Sequence, residues 1–477
     1  MTSNRQAIKE YINEQIAQID FRAKAYVFDN ENRKKPHRNI FATIQSYLNK
    51  FLAGNLSYRW ITLTGLRGAG KTTILYQLYH NNKNIEGYFL AISMDEVTQT
   101  LNSSINEIIT NFEEIIGKPI TNLDKPLFLL IDEVQYDKNW GIALKTIFDK
   151  SNKVFIFTTG SSAILMNMNA DIARRAIPEK IFPLSFSEFI KIKNNHFEIN
   201  GLSDEIRETI FHQTNAQSVY STLKEKESRI QKYLLKISKF DFEDYLYYGT
   251  LPFMLDFNND SLVFNQISKT LEKVVYIDIP QAGSLTTEII NKIPGLLYAI
   301  ADMDAFNFST LSDRFEISRP KIAEIFSILE KTEVLHRIYP YGSHFNQVTK
   351  KPYKYLFSSP AFRAMYYKMI GNTISKENSK GKLIEDLVGM YLYQLVGKID
   401  GFSLTYDSAQ GGADFILSLT NRKIIIEVGA GKKDFKQIIK TSGKISANYS
   451  LIISSSELEL NKELNTVKIP LKYFVLI

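Results

Sequence analysis

The fold is read from Gly65-Leu66-Arg67-Gly68-Ala69-Gly70-Lys71-Thr72. This string follows the apolar run Trp60-Ile-Thr-Leu-Thr64 and opens into Thr73-Ile-Leu-Tyr-Gln-Leu-Tyr79, whose apolar spacing suits a helix. Strand, glycine-rich loop and helix in that order are what a phosphate-binding P-loop requires. Glycines at 65, 68 and 70 let the backbone turn tightly, so that successive N–H groups converge on one point, and the helix N-terminus adds its positive end. Gly65 to Thr73 are therefore the expected nucleotide cradle. Lys71 would reach the outer phosphates and the Thr72 hydroxyl would hold magnesium, which makes ATP and Mg2+ the expected cofactors.

Sixty-one residues after Lys71, the apolar run Leu127-Phe-Leu-Leu-Ile ends in Asp132 and Glu133. A buried parallel strand delivers its C-terminal residues to the sheet rim where α/β proteins bind ligands. Asp132 is expected to hold the magnesium ion, directly or through water, and Glu133 to polarise the attacking water. The next apolar run, Val154-Phe-Ile-Phe-Thr-Thr159, ends in Gly160-Ser161-Ser162. Thr159 and Ser161 are candidates for sensing the outer phosphate, with a simple turn as the alternative. Arg174 and Arg175 read either as fingers completing a neighbouring subunit's site in a homo-oligomer or as surface charge.

Composition sets outer limits. The 477 residues hold no cysteine, which excludes disulfides, thiolate metal sites and cysteine nucleophiles, and six scattered histidines show no zinc-ligand spacing. Lys plus Arg exceed Asp plus Glu by 58 to 51, a mild excess that permits a nucleic-acid partner without demanding one. No apolar run approaches a membrane span and no signal core opens the chain, so a cytoplasmic protein without a membrane partner is expected. A first helix is expected over 5–30 on the spacing of Ile8, Tyr11, Ile12, Ile16 and Ile19. The basic patch Arg33-Lys-Lys-Pro-His-Arg38 reads as a solvated linker or a nucleic-acid contact.

The strings GLRGAGKTT, LLIDEVQ with Trp140, TTGSSA and FPLSFSEF at 182–189 resemble a family of bacterial and archaeal AAA-type P-loop ATPases. Its members carry a C-terminal domain of unknown function that looks like restriction endonucleases. YLYYGTLPFML at 245–255 and EKVVYIDIP at 272–280 extend the likeness into the linking helices. The resemblance implies an α/β AAA+ core with parallel strand order 5-1-4-3-2 and a helical lid. It also implies that Arg67 belongs to the P-loop pattern and that Gln135 follows the acid pair.

Beyond residue 288 the order is helix, helix, helix, hairpin, as in a winged helix, with Arg319 and Lys321 at the start of the third helix behind Ser318 as N-cap. Further on, Glu385 lies on a helix, Asp414 opens a strand and Glu427 closes the next. This is the order in the PD-(D/E)xK nuclease fold, which the segment resembles. Asp414 and Glu427 would share a divalent metal with Glu385 in support. The pattern asks for lysine at 429, where this chain has glycine; Lys432 or Lys433 would have to substitute, with Gln437 on the next helix.

The expected organisation is thus an N-terminal helical segment (1–40), an AAA+ core (41–190), a helical lid and linker (191–288), a winged helix (289–372) and a nuclease-like α/β domain (373–477). The expected function is ATP hydrolysis that controls a C-terminal region binding DNA or RNA and cleaving DNA. The alternative is a nucleotide-dependent switch or scaffold whose inactive nuclease-like domain binds a protein partner.

Overall fold

Trp60–Gly65 forms a strand, β1, in which every residue is buried. Four more strands flank it: β2 (Tyr88–Ser93), β3 (Leu127–Asp132), β4 (Val154–Gly160) and β5 (Ile177–Ile181). All pair in parallel, in the order β2-β3-β4-β1-β5. The computed structural model describes residues 2–161, 170–257, 259–283, 285–303, 305–342, 352–369, 376–396, 401–431 and 433–477. The chain divides into two compact units, Met1–Phe182 and Pro183–Ile477.

In the first unit β3 and β4 are buried along their whole length, as strands covered by helices on both faces must be. Helix Ile105–Ile116 starts at a capping box, Ser104 with Glu107. Trp140 packs edge-on against Trp60 at 6.5 Å. The first helix runs over Thr2–Val27 and buries Ile8, Ile12, Ile19, Ala23 and Val27, while Ile16 faces outward. Near its end Tyr26 stacks on Tyr76 of the P-loop helix at 4.7 Å.

The second unit is built on a mixed sheet. Its strands are β6 (Leu335–Pro340), β7 (Lys354–Phe357), β8 (Ser403–Tyr406), β9 (Phe415–Leu419), β10 (Arg422–Val428), β11 (Tyr449–Ser454), β12 (Glu459–Asn461) and β13 (Thr466–Pro470), in the order β12-β13-β11-β10-β9-β8-β6-β7. Helix Lys376–Leu395 precedes β8, β9 and β10, which run antiparallel to one another. Helix Lys436–Ser442 then leads to β11, parallel to β10.

Three helices, Thr287–Asp302, Phe308–Phe315 and Arg319–Lys331, come before the β6–β7 hairpin in the winged-helix order. The hairpin is continuous with the C-terminal sheet, because Tyr339 and Pro340 pair with Thr405 and Tyr406 of β8. The helices Leu202–His212 and Ala216–Leu234, read from sequence as a lid over the nucleotide, bury Ile206, Ile210, Val219 and Ile230 in the same core as Ile424, Leu451 and Val467. Their backbone is tied to that sheet as well. Arg422 donates to the His212 carbonyl, and the Tyr449 hydroxyl to that of Ile210 at 2.6 Å.

Candidate functional sites

The P-loop assembles as its residues require. Gly68 and Gly70 sit in the left-handed region at φ 83° and 95°, and a Cβ at Gly65 would lie 2.3 Å from the Ile181 carbonyl of β5. Leu66 and Ala69 are buried and anchor the loop, while Arg67, Thr72 and Thr73 are half-buried at its surface. The buried Lys71 folds back, its Nζ donating to the carbonyls of Gly65 at 2.9 Å and Leu66 at 3.2 Å. The Thr72 hydroxyl donates to Asp132 Oδ2 at 2.7 Å, so the two expected magnesium ligands already touch. Hydroxyl, carboxylate, lysine and left-handed glycine backbone together fit a nucleotide with its magnesium ion.

The acid pair is held by the neighbouring strand. The Thr159 hydroxyl donates to Asp132 Oδ1 and accepts the backbone N–H of Glu133 at 3.3 Å. Glu133 itself is left-handed at φ 51°, a conformation uncommon outside glycine, and Gln135 donates to its Oε2 at 2.5 Å. Burial, and then Glu133 beside it, push the Asp132 carboxyl above its ordinary range. Ser161 follows half-buried just past the end of β4, and Ser162 lies outside the described residues. Arg175 forks onto Asp149 of its own unit at 2.8 and 3.0 Å, whereas Arg174, 74% exposed, pairs with Asp171 one helical turn away.

Sequence reasoning missed Arg38. It is buried rather than solvated: one guanidinium nitrogen donates to the P-loop carbonyl of Ala69 at 2.9 Å and the other to that of Phe182 at 2.9 Å. Within the same patch Arg33 pairs with Asp29 and Glu31, and Lys34 donates to Asn81. The signal was available, since a basic residue just before the helix that leads into a P-loop strand has phosphate-loop carbonyls within reach.

A second constellation lies in the mixed sheet where β10 ends and β7 and β9 begin. Glu427, fully buried on β10, accepts from Lys433 Nζ at 2.6 Å, and Lys433 also donates to Gln437 at 3.2 Å. Asp414 accepts the Val428 N–H at 2.9 Å. Lys354 of β7, 7% exposed, bridges Glu385 and Asp414, reaching Asp414 Oδ1 at 3.2 Å. Glu385, Asp414 and Glu427 are thus brought together. Lys354 was not foreseen, although a lysine inside the apolar run Tyr353-Lys-Tyr-Leu-Phe357 was its mark.

Burial raises the Glu385 carboxyl to about 7, against the pull of Lys354. Burial and then Asp414 raise Glu427 to about 8, against Lys433. Among the described residues no group of three or more acidic, histidine or cysteine side chains is arranged to hold a metal ion. A metal shared by Asp414 and Glu427, as expected from the sequence, would have to displace the ammonium groups that already pair with these carboxylates. Lys432, the other lysine considered as a substitute, lies outside the described residues. In helix Arg319–Lys331 Lys321 is engaged by Glu324 at 2.7 Å, Arg319 is exposed, and Ser318 makes no side-chain cap.

Comparison with known proteins agrees with the first unit. Residues 57–190 match a family described as an AAA domain, and residues 239–369 match a domain of unknown function. The uncharacterized protein MJ1637 of Methanocaldococcus jannaschii is 34% identical over 478 residues, covering 98% of this chain and 94% of its own. The chain belongs to the MJ1637 family. The uncharacterized protein MJ1544 of the same organism is 22% identical over 76% of this chain and 72% of its own.

AMPPCP-bound DnaA from Aquifex aeolicus overlaps 64% of this chain and 92% of its own at 15% identity and a TM-score of 0.27. For the Thermotoga maritima RuvB Holliday junction branch migration motor the figures are 64%, 90%, 13% and 0.26. The AAA domain, the 5-1-4-3-2 sheet and the P-loop geometry support nucleotide binding and an ATPase-type activity in this member of the MJ1637 family. Among the described residues no helix is long and apolar enough to cross a membrane.

Proposed function

We propose that this protein binds and hydrolyses ATP with Mg2+ and that its nucleotide state controls a C-terminal region acting on DNA or RNA. The observation that carries the ATPase is the Thr72 hydroxyl on Asp132 beneath the P-loop. Lys71 takes the outer phosphates, Thr72 and Asp132 would hold the magnesium ion, and Glu133, posed by Thr159 and Gln135, orients water. Thr159 and Ser161 sense the outer phosphate. Arg174 is the better-placed finger for a neighbouring subunit, because Arg175 is occupied by Asp149. A hydrolysis rate per subunit that does not rise with protein concentration would count against an oligomer completed by Arg174.

Control of the C-terminal region is supported by the chain itself. β5, which pairs with Gly65 through Ile181, runs directly into Pro183, and three residues later the Phe186 N–H donates to the Tyr391 hydroxyl at 2.7 Å. Tyr391 lies on the helix that carries Glu385. A nucleic-acid role draws on the helix, three antiparallel strands, helix and parallel strand that bring Glu385, Asp414 and Glu427 together in the order of PD-(D/E)xK nucleases. The division into AAA+ core, winged helix and nuclease-like domain is part of this proposal, whereas the helices read as a lid belong to the core of the C-terminal sheet.

The second reading is a nucleotide switch or scaffold whose nuclease-like domain is inactive and binds a protein partner. Lys354 seated among the carboxylates favours it. One experiment separates the two. Purified protein is assayed for ATP hydrolysis and for cleavage of single- and double-stranded DNA and RNA, beside Lys71→Ala, Glu133→Gln and Asp414→Ala/Glu427→Ala. Nucleic-acid-stimulated ATPase with cleavage lost in the last variant supports the first reading. ATPase indifferent to nucleic acid, without cleavage, supports the second. Undiminished ATPase in Glu133→Gln would remove the assigned base from both.

A further inference from the structure

We infer that Lys354 is the resident cation of the second unit's carboxylate cluster, standing where a divalent metal ion would bridge Glu385 and Asp414, so that the site selects against divalent metal. The inference deepens the second reading above, but it rests on the geometry of the cluster and not on whether the protein cleaves anything.

One ammonium touches a carboxylate oxygen on each of two elements, helix Lys376–Leu395 and the start of β9. It also donates to the Asp414 carbonyl at 3.3 Å. This is the pattern of oxygen donors that a hard cation gathers, met here by two hydrogen bonds to Asp414 and an ion pair with Glu385. The lysine is fixed from its sides too, with its Nζ 5.1 Å from the Phe415 ring centre and 5.7 Å from that of Tyr406.

The charges facing the site are Glu385, Asp414 and Glu427 against Lys354 and Lys433. Asp386, beside Glu385, is closed off in a buried fork with Arg363. A divalent ion entering with both lysines in place would add two more positive charges beside two ammonium groups in a buried setting, which costs more than the shared carboxylates return. Without Lys354 the three carboxylates face one ammonium, and Glu427 Oε2, buried and without a hydrogen-bond partner among the described residues, becomes a further donor. Lys354 thus decides which cation the site holds.

The test is Mn2+ binding to the full chain without nucleotide, read from the electron paramagnetic resonance signal of free Mn2+. Wild type is compared with Asp414→Asn, Lys354→Met and Lys354→Met/Asp414→Asn. Wild type and Asp414→Asn should bind Mn2+ alike. Lys354→Met should gain one site at least about tenfold tighter, a change of the size seen when groups around a metal are altered. The double variant should lose that site again. A wild-type Mn2+ site that Asp414→Asn abolishes overturns the inference whether or not Lys354→Met folds. A folded Lys354→Met that gains no site overturns it equally. Cleavage does not enter the readout, so failure here and failure of the nuclease reading are seen separately.

Discussion

The side chain of Lys433 lies where a side chain on residue 429 would have to be: a Cβ built on Gly429 would come within 2.2 Å of Lys433 Cε and 2.7 Å of its Cγ. The lysine that nuclease-like sequences carry at 429 is absent. An ammonium still meets Glu427, delivered four residues further along across the gap that glycine leaves.

Gly429→Ala should therefore push Lys433 away from Glu427 and destabilise the second unit by about 1–3 kcal/mol, the range for overfilling a packed site. The exchange variant Gly429→Lys/Lys433→Gly should recover most of that loss, because it moves the ammonium without adding bulk. Chemical denaturation of the three proteins compares them directly. Equal stability of Gly429→Ala and wild type would show that Lys433 moves freely.

The raised carboxyls of Glu385 and Glu427 make stability pH-dependent. Both titrate near 4.5 when unperturbed and at about 7 and about 8 in the folded chain, so folding favours their protonated forms. Their contribution is fully present below pH 4.5 and is lost as pH rises through 7 to 8. Thermal unfolding followed from pH 5 to 9 should show the second unit weakening across that window. Glu427→Gln, neutral throughout, should flatten the upper part of the decline.

Thr159 holds both acids of the first site at once. Thr159→Val keeps the shape and removes the hydroxyl, leaving Asp132 Oδ1 and the Glu133 N–H without their shared partner. ATP hydrolysis should fall by about 10²-fold, in the range for a misplaced general base. ATP affinity should stay close to wild type, because Lys71 and the loop backbone are untouched. A drop in affinity with an unchanged rate would make Thr159 a binding residue instead.

Arg38 holds the P-loop from behind. Arg38→Ala should cost about 1.5–3 kcal/mol for lost charge-assisted bonds to the Ala69 and Phe182 carbonyls. It should also weaken ATP binding, since the loop between Gly68 and Gly70 loses its anchor. Nucleotide titration together with denaturation reads both effects. An Arg38→Ala protein that binds ATP normally would confine the residue to a structural role.

The first unit was open to sequence reading for a local reason. Glycines 65, 68 and 70 are dictated by backbone geometry within eight residues, and the runs into Asp132 and Thr159 are buried strands whose length and polarity reveal their direction. Glu385, Asp414 and Glu427 were marked by the order of helix and strands in the nuclease fold that the segment resembles. Tertiary structure alone decided what neutralises them. Lys354 arrives from β7, sixty residues before Asp414, and Lys433 reaches Glu427 only because Gly429 leaves room. It also decided that the helices read as a lid pack on the C-terminal sheet, and that the β6–β7 hairpin joins that sheet through β8. Periodicity in a sequence tells which face of an element is apolar. Which surface that face covers, and which distant ammonium ends beside a buried carboxylate, depend on packing and charge pairing between segments far apart in the chain.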